Sequence, residues 1–325
     1  MSKNIFYKKI GKISLKKICN YLEIPLITKK NYFLNDIKTL DEADKNDLTF
    51  LHSSKYLDYL PKVKSNFIIT TSKFKKHISD KNLLIVENVL ISVSKITELF
   101  YPNSFDENFI FKKLSMRNFL KSKKITLGSN VIIGKNVKIG NNTFIGHNSI
   151  IEDNVIIGRN CSIGSNVIIK KTIIGNNVNI LDGAVIGKKG FGFFPQKNRN
   201  IRYPHIGMVI IKDNVEIGSN NTIDRGSLGN TIIGENTFLD NQVHIAHNVK
   251  IGKNCIITAQ VGFAGSSEVG DNVSIGGQAG VSGHLKIGNN VQIGGGSGVL
   301  KNIPDNTKVM GYPAKDIRLF IKENK

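Results

Sequence analysis

The sequence predicts a mainly β protein: a parallel β-helix, with a small α/β domain ahead of it and a short helix closing the chain. Three observations carry this. An aliphatic residue recurs at every sixth position through most of the chain after Leu127, the first hundred residues lack that period, and most of the 31 glycines fall after residue 125. A period of six fits neither the α-helix at 3.6 nor a plain amphipathic strand at 2.0. It fits a coil of three short strands, about six residues each, in which an inward side chain stacks on its counterpart one coil away at the strand spacing of ~4.8 Å.

Residues 1–108 read as the α/β domain. Ser14 stands where an N-cap would open a helix over Leu15–Leu22, since its hydroxyl can accept from an otherwise unbonded first-turn amide. Leu48–Leu51, Phe67–Thr70 and Leu83–Val86 read as strands and Ser92–Tyr101 as a helix, from their apolar spacing. Tyr101-Pro102-Asn103-Ser104 carries the composition of a linker.

Residues 109–303 carry the repeat. Leu127, Ile133, Ile139, Ile145, Ile151, Ile157, Ile163 and Ile169 hold the period; one residue is dropped before Ile174, Ile180 and Ile186. Ile211, Ile217 and Ile223 resume it, and a second run extends from Ile233 to Val299. The residue two places earlier also points inward and has to be small: Val131, Val137, Thr143, Val155, Cys161, Val167 and Cys255 hold that slot. Gly and Asn at the corners supply positive φ. The interruption between Gly187 and Met208 sets two glycines among Phe191, Phe193 and Phe194, and a long loop thrown off a regular solenoid is a place for ligand contact. Residues 304–325 break the period, and a short basic helix with Lys315, Arg318 and Lys322 ends the chain.

Composition narrows the class. The N-terminus is too polar for a secretory signal, and no apolar run approaches the ~18 residues of a membrane span, so the expectation is a cytoplasmic protein without integral membrane association. Three cysteines at no ligand spacing argue against a disulfide framework or a zinc cluster. The net charge of +20 is nearly all Lys scattered along the chain, which reads as a solvated face rather than a nucleic-acid site, though a basic surface favours an acidic partner.

A prism of strands has no catalytic machinery of its own, so the polar residues that break the pattern become the candidates. His247 follows the inward Ile245 by two places, near a corner, and His284 lies 37 residues later, on the same face two coils on. The six-residue repeat resembles that of the hexapeptide acyltransferases, which implies acyl transfer; such a transfer to an amine needs a base that is neutral near pH 7 and donors for the oxyanion of the tetrahedral intermediate. Imidazole, with a reference pKa of ~6.5, meets the first need. His247 is the candidate base, Asp240 its orienting carboxylate, the Gly265 amide one coil on the oxyanion donor, and His284 an assisting group.

These residues carry a resemblance. The repeat is similar to that of the hexapeptide acyltransferases, whose prisms are left-handed and usually trimeric, and Gly311-Tyr312-Pro313-Ala314-Lys315 resembles the segment that closes many of them. Gly190-Phe191-Gly192-Phe193, Thr222-Ile223-Asp224-Arg225-Gly226, Leu239-Asp240-Asn241-Gln242 and His244-Ile245-Ala246-His247-Asn248, behind an N-terminal α/β domain, look like the UDP-3-O-(3-hydroxyacyl)glucosamine N-acyltransferases of lipid A synthesis. The resemblance implies a homotrimer in which His247 takes a proton from the glucosamine 2-amine, and that amine attacks the thioester of a 3-hydroxyacyl–acyl carrier protein. It implies His284 in the same site and no metal or redox cofactor. Substrate contacts are expected from Asn241, Phe191 and Phe193. Leu48–Tyr56 matches the uracil-holding segment, with Phe50 and Tyr56 beside the base and Ser53 where the family carries Asn. Lys315, Arg318 and Lys322 would guide the acidic carrier. Gly298 is expected to leave room for a long acyl chain.

Three other readings compete. The O-acyltransferase of the same pathway, acting on UDP-N-acetylglucosamine, shares the prism and a similar His motif, but with Asp in place of Asn248 and without the N-terminal domain. A prism-type carbonic anhydrase would bind zinc through histidines such as His244, His247 and His284. A non-catalytic scaffold would use none of them.

Overall fold

The computed structural model describes residues 4–102, 104–105, 124–195, 197 and 200–323. Two compact units emerge. One comprises Met1–Phe6, Phe109–Phe191 and Gly207–Lys325; the other comprises Tyr7–Asn108 and Gly192–Ile206.

The larger unit is a left-handed parallel β-helix. Its strands, most of them two residues long, stack into three sheets of nine, eight and eleven strands among the described residues, parallel except for the closing pair Lys308–Met310 and Lys315–Asp316. The nine-stranded sheet runs from Ile132–Ile133 to Gly298–Val299, the eight-stranded one from Lys138–Ile139 to Lys286–Ile287, and the eleven-stranded one begins at Thr126–Leu127. Every sixth aliphatic residue is the inward member of its strand. Ile145, Ile163 and Ile180 pair in one register, and Ile223, Ile245 and Phe263 in another. These side chains are buried in one continuous core, each worth roughly 1.5–3 kcal/mol against exposure. The small slot behaves as its spacing requires: the Cys161 and Cys255 thiols lie 3.3 and 3.2 Å from the carbonyls of Gly175 and Gly270. The Thr143 and Thr237 hydroxyls donate to Gly158 and Gly252.

The corners explain the Asn content. Asn236, Asn254, Asn272, Asn290 and Asn306 all hold φ between 54° and 60°, a left-handed conformation that Asn tolerates better than most residues. Their side-chain amides form a ladder, each Nδ2 donating to the next Oδ1 at 2.9 to 3.2 Å.

The repeat is broken at one edge. Val185–Lys189 pairs with Thr222–Arg225 through a bulge between Ile186 and Lys188, and the chain leaves the coil there. The excursion carries an antiparallel hairpin, Phe193–Pro195 against Asn200–Arg202, and the segment Gly192–Ile206 groups with the N-terminal unit.

The smaller unit holds a three-stranded parallel sheet, Leu48–Phe50, Phe67–Thr70 and Asn82–Ile85. Helix α1, Leu15–Tyr21, begins as the sequence predicts, with the Ser14 hydroxyl accepting from Lys17 N. Helix α2 spans Val89–Phe100 rather than Ser92–Tyr101, because Asn88 caps it by accepting from Ile91 N. The sequence reading missed two 3-10 segments, Ser54–Lys62 and Ser72–His77. Part of the expected linker, Asn103, lies outside the described residues. Helix α3, Ile317–Glu323, follows the closing strands Lys308–Met310 and Lys315–Asp316.

Candidate active site

In each strand the residue before the inward aliphatic points outward. On the nine-stranded sheet that outward column reads His244, Gly262, Gly280 and Gly298 in direct register. Three successive glycines strip the face of side chains and leave a groove of about 780 Å³. A Cβ added at Gly262 or Gly280 would meet nothing within 4 Å. At Gly298 it would fall 2.0 Å from the Tyr312 ring. Gly298, expected to leave room for a long acyl chain, lines the groove with Tyr312 of the closing segment against it, and the open floor is at Gly262 and Gly280.

His247 stands at the head of the groove. Its ring lies across Gly265, where an added Cβ would come within 2.7 Å of Cε1 and 2.8 Å of Nε2, so only glycine leaves room for it. The coil ladder takes the amides on either side, Ala264 N to Val281 O and Ser266 N to His247 O. At equivalent corner positions a side chain one coil on accepts from the amide, as Asp271 does from Lys253 N and Asn289 from Asp271 N. One coil beyond Gly265 stands Gly283, with no side chain to serve as that acceptor. The Gly265 N–H is thus outside both hydrogen-bond sets that occupy its counterparts.

The group that faces His247 is not the expected carboxylate. Asp240 sits at the preceding corner, where its Oδ1 accepts from the backbone and side-chain amides of its own neighbour, Asn241. Asn241 in turn accepts from Ser219 N at 2.8 Å. The His247 Nδ1 lies 3.1 Å from Asn248 Oδ1 instead. His284 stands beside the backbone of Gly265. Counting 37 residues rather than one coil multiple places it level with Asn248 and Ser266, at φ 60°, one position past His247 around the corner. Its N–H donates to Gly265 O, and it does not line the groove.

His244, which sequence reasoning assigned only to a hypothetical zinc set, heads the outward column, 2.7 Å from Thr222 Oγ1. Among the described residues no three His, Cys, Asp or Glu side chains are placed to hold a metal. The Thr222–Gly226 segment also anchors the excursion. Buried Asp224 pairs with Lys188, and buried Arg225 donates to Gly187 O at 3.1 Å. Phe191 is 73 % exposed and lines the groove; Phe193 belongs to the hairpin of the other unit.

In that smaller unit Phe50, His52, Tyr56 and Tyr59 form a string of rings at 5.9, 5.1 and 6.2 Å between successive centroids. His52 was missed by sequence reasoning, although its place between Phe50 and Tyr56 in the quoted segment marks it. Ser53 caps the 3-10 segment, accepting from Lys55 N at 3.4 Å. In the closing segment Lys315 is paired with Glu323, leaving Arg318 and Lys322 outside that pair.

Comparison with known proteins adds to this geometry. Residues 136–171 and 230–265 match bacterial transferase hexapeptide repeats. Residues 32–99 match the family described as UDP-3-O-(3-hydroxymyristoyl) glucosamine N-acyltransferase, LpxD. The UDP-3-O-acylglucosamine N-acyltransferase of Rickettsia prowazekii is 43% identical over 251 residues, covering 75% of this chain and 72% of that protein. The chain belongs to the UDP-3-O-acylglucosamine N-acyltransferase family. It is an acyltransferase. A second member, UDP-3-O-acylglucosamine N-acyltransferase 2 of Legionella pneumophila, is 43% identical over 254 residues, 77% of this chain and 74% of that one. Among solved structures, LpxA from Acinetobacter baumannii aligns with a TM-score of 0.53 at 28% identity, over 61% of this chain and 78% of its own. The UDP-N-acetylglucosamine acyltransferase of Francisella novicida aligns at 0.54 and 26%, over 61% and 73%. The prism is thus common ground with structures described as UDP-N-acetylglucosamine acyltransferase, while the family match over residues 32–99 is to the N-acyltransferase family.

Proposed function

We propose that the protein moves a 3-hydroxyacyl chain from acyl carrier protein to the 2-amine of UDP-3-O-(3-hydroxyacyl)glucosamine, with His247 as general base. The observation that carries this is the His247 ring laid across Gly265 at the head of a glycine-floored groove. In this reading the imidazole takes a proton as the amine nitrogen attacks the thioester carbonyl. The oxyanion develops against the Gly265 N–H, a donor already in place. Collapse breaks the C–S bond, and the imidazolium returns its proton to the departing pantetheine thiolate. The acyl group arrives on the carrier's phosphopantetheine, so the reading calls for no metal or redox cofactor.

An acyl chain suits the stripped floor over Gly262 and Gly280, and flat rings such as Phe50 and Tyr56 suit a uracil by stacking. Arg318 and Lys322 offer charge to an acidic carrier. The protein acts in the cytoplasm as a homotrimer; no helix among the described residues is long and apolar enough to cross a membrane.

The test is transfer of a 3-hydroxyacyl group from its carrier to UDP-3-O-(3-hydroxyacyl)glucosamine, wild type against His247→Ala. Turnover in wild type and a loss of at least ~100-fold in the variant are expected. A wild type that instead acylates UDP-N-acetylglucosamine would keep the fold and overturn the function.

A further inference from the structure

The repeat is broken a second time at the corner that bears His247. Ile223 and Ile233 stand ten residues apart where the period allows six, and the extra residues form a tight turn around Gly226-Ser227-Leu228-Gly229. A Cβ on Gly226 would fall 1.9 Å from Gly229 O, and Gly207 N donates to both Gly226 O and Ser227 O at 3.0 and 2.8 Å. The turn delivers Ser227 to Asn248. Ser227 N lies 2.9 Å and Ser227 Oγ 2.8 Å from Asn248 Oδ1.

This arrangement selects a tautomer. A backbone N–H can only donate, so the Asn248 atom beside Ser227 N is the carbonyl oxygen and not the amide nitrogen. The same oxygen lies 3.1 Å from His247 Nδ1. A neutral imidazole facing an acceptor through Nδ1 carries its hydrogen there, and Nε2 then holds the lone pair. Asn248 cannot turn away easily. Its backbone N–H donates to Thr231 Oγ1 at 2.9 Å, and Gly229 backs its Nδ2, 3.2 Å from where a Cβ would be.

We propose that Ser227 and Asn248 are positioning residues that lock His247 in its Nδ1–H tautomer and aim Nε2 at the reacting amine. The claim rests on His247 being the base of the proposed acyl transfer, but the tautomer itself needs no substrate to be read. Asn248 does the work an orienting carboxylate does in other base–orienter pairs, with a neutral oxygen in place of a charged one.

The experiment combines imidazole nitrogen-15 spectra of the full-length, histidine-labelled protein with acyl-transfer kinetics. His247→Gln identifies the His247 signals; Ser227→Ala, Ser227→Thr and Asn248→Gly are compared with wild type. Glycine suits position 248, where φ is 63°. The expected wild-type spectrum is the Nδ1–H form. Asn248→Gly should move it toward Nε2–H and lower kcat by ~10-fold or more with KM little changed, since a wrong tautomer disables a general base. Ser227→Ala should show a smaller shift in both, and Ser227→Thr should restore them. A wild-type Nε2–H form, or wild-type spectra and kcat in both Asn248→Gly and Ser227→Ala, would overturn the proposal. The expected spectra in a protein that fails to acylate UDP-3-O-(3-hydroxyacyl)glucosamine would support the clamp and overturn the proposed reaction instead.

Discussion

Gly265 shows how much one side chain's absence does. Its missing Cβ is the space that the His247 ring occupies, and its amide is the donor offered to the oxyanion. A Gly265→Ala variant should fold, since a corner position carries little core, yet lose roughly 100-fold in kcat/KM because the displaced imidazole no longer meets its proton. Circular dichroism alongside kinetics separates the two effects. The cysteines make a contrasting case. Cys161 and Cys255 fill the small inward slot, and burial pushes both thiols above their ordinary pKa. The thiolate is the reactive form, so a raised pKa means slower reaction at any pH below it. Alkylation at pH 8 should leave both unlabelled in the folded protein, rise as pH rises, and go to completion in denaturant. Rapid labelling of native protein would show that the core slot is misassigned.

At the scale of elements, the glycine column and the closing segment act together. Tyr312 lies against Gly298, so Tyr312→Ala should lengthen the open floor and shift the acyl-chain profile toward longer chains. Gly280→Leu, at a site where an added Cβ meets nothing, should leave the fold intact and exclude all but short chains. An unchanged profile in both variants would mean that the chain lies elsewhere. The six-residue period made the strands legible, because an inward position tolerates only apolar residues. The outward column repeats at eighteen-residue spacing but was not legible, because outward residues are free to be anything and three glycines draw no notice until register aligns them. Asp240 was misread for a related reason. It stands seven residues before His247, and about six residues are one face of a triangular coil and carry the chain to another corner. The start of α2 was lost because Asn88 caps it ahead of the run of apolar residues that marks the helix.

At the scale of the whole molecule, each coil touches only its neighbours, which is why residues can be inserted at one corner without disturbing the core beneath. Both insertions, the excursion after Lys189 and the turn at Ser227, leave at the edge where His247 sits, and the core register resumes after each. Phe238 and Ile256 pair side by side on an outer face, 46 and 56 % exposed, an apolar surface suited to a neighbouring copy. Light scattering of the 35.9 kDa chain tests the proposed homotrimer, with the mass of a trimer expected, and Phe238→Glu with Ile256→Lys should yield a smaller species that keeps its β-rich spectrum and loses activity. An active monomer would refute the homotrimer as the working form.

The glycine column also sets how this groove can change over time. Its members are separated by one coil, so opening or closing a floor position alters the usable length by one strand spacing, ~4.8 Å. An acyl chain laid along it is measured in blocks of several methylenes. Single substitutions at these positions would carry a lineage between distinct classes of lipid in jumps, with few intermediates on the way.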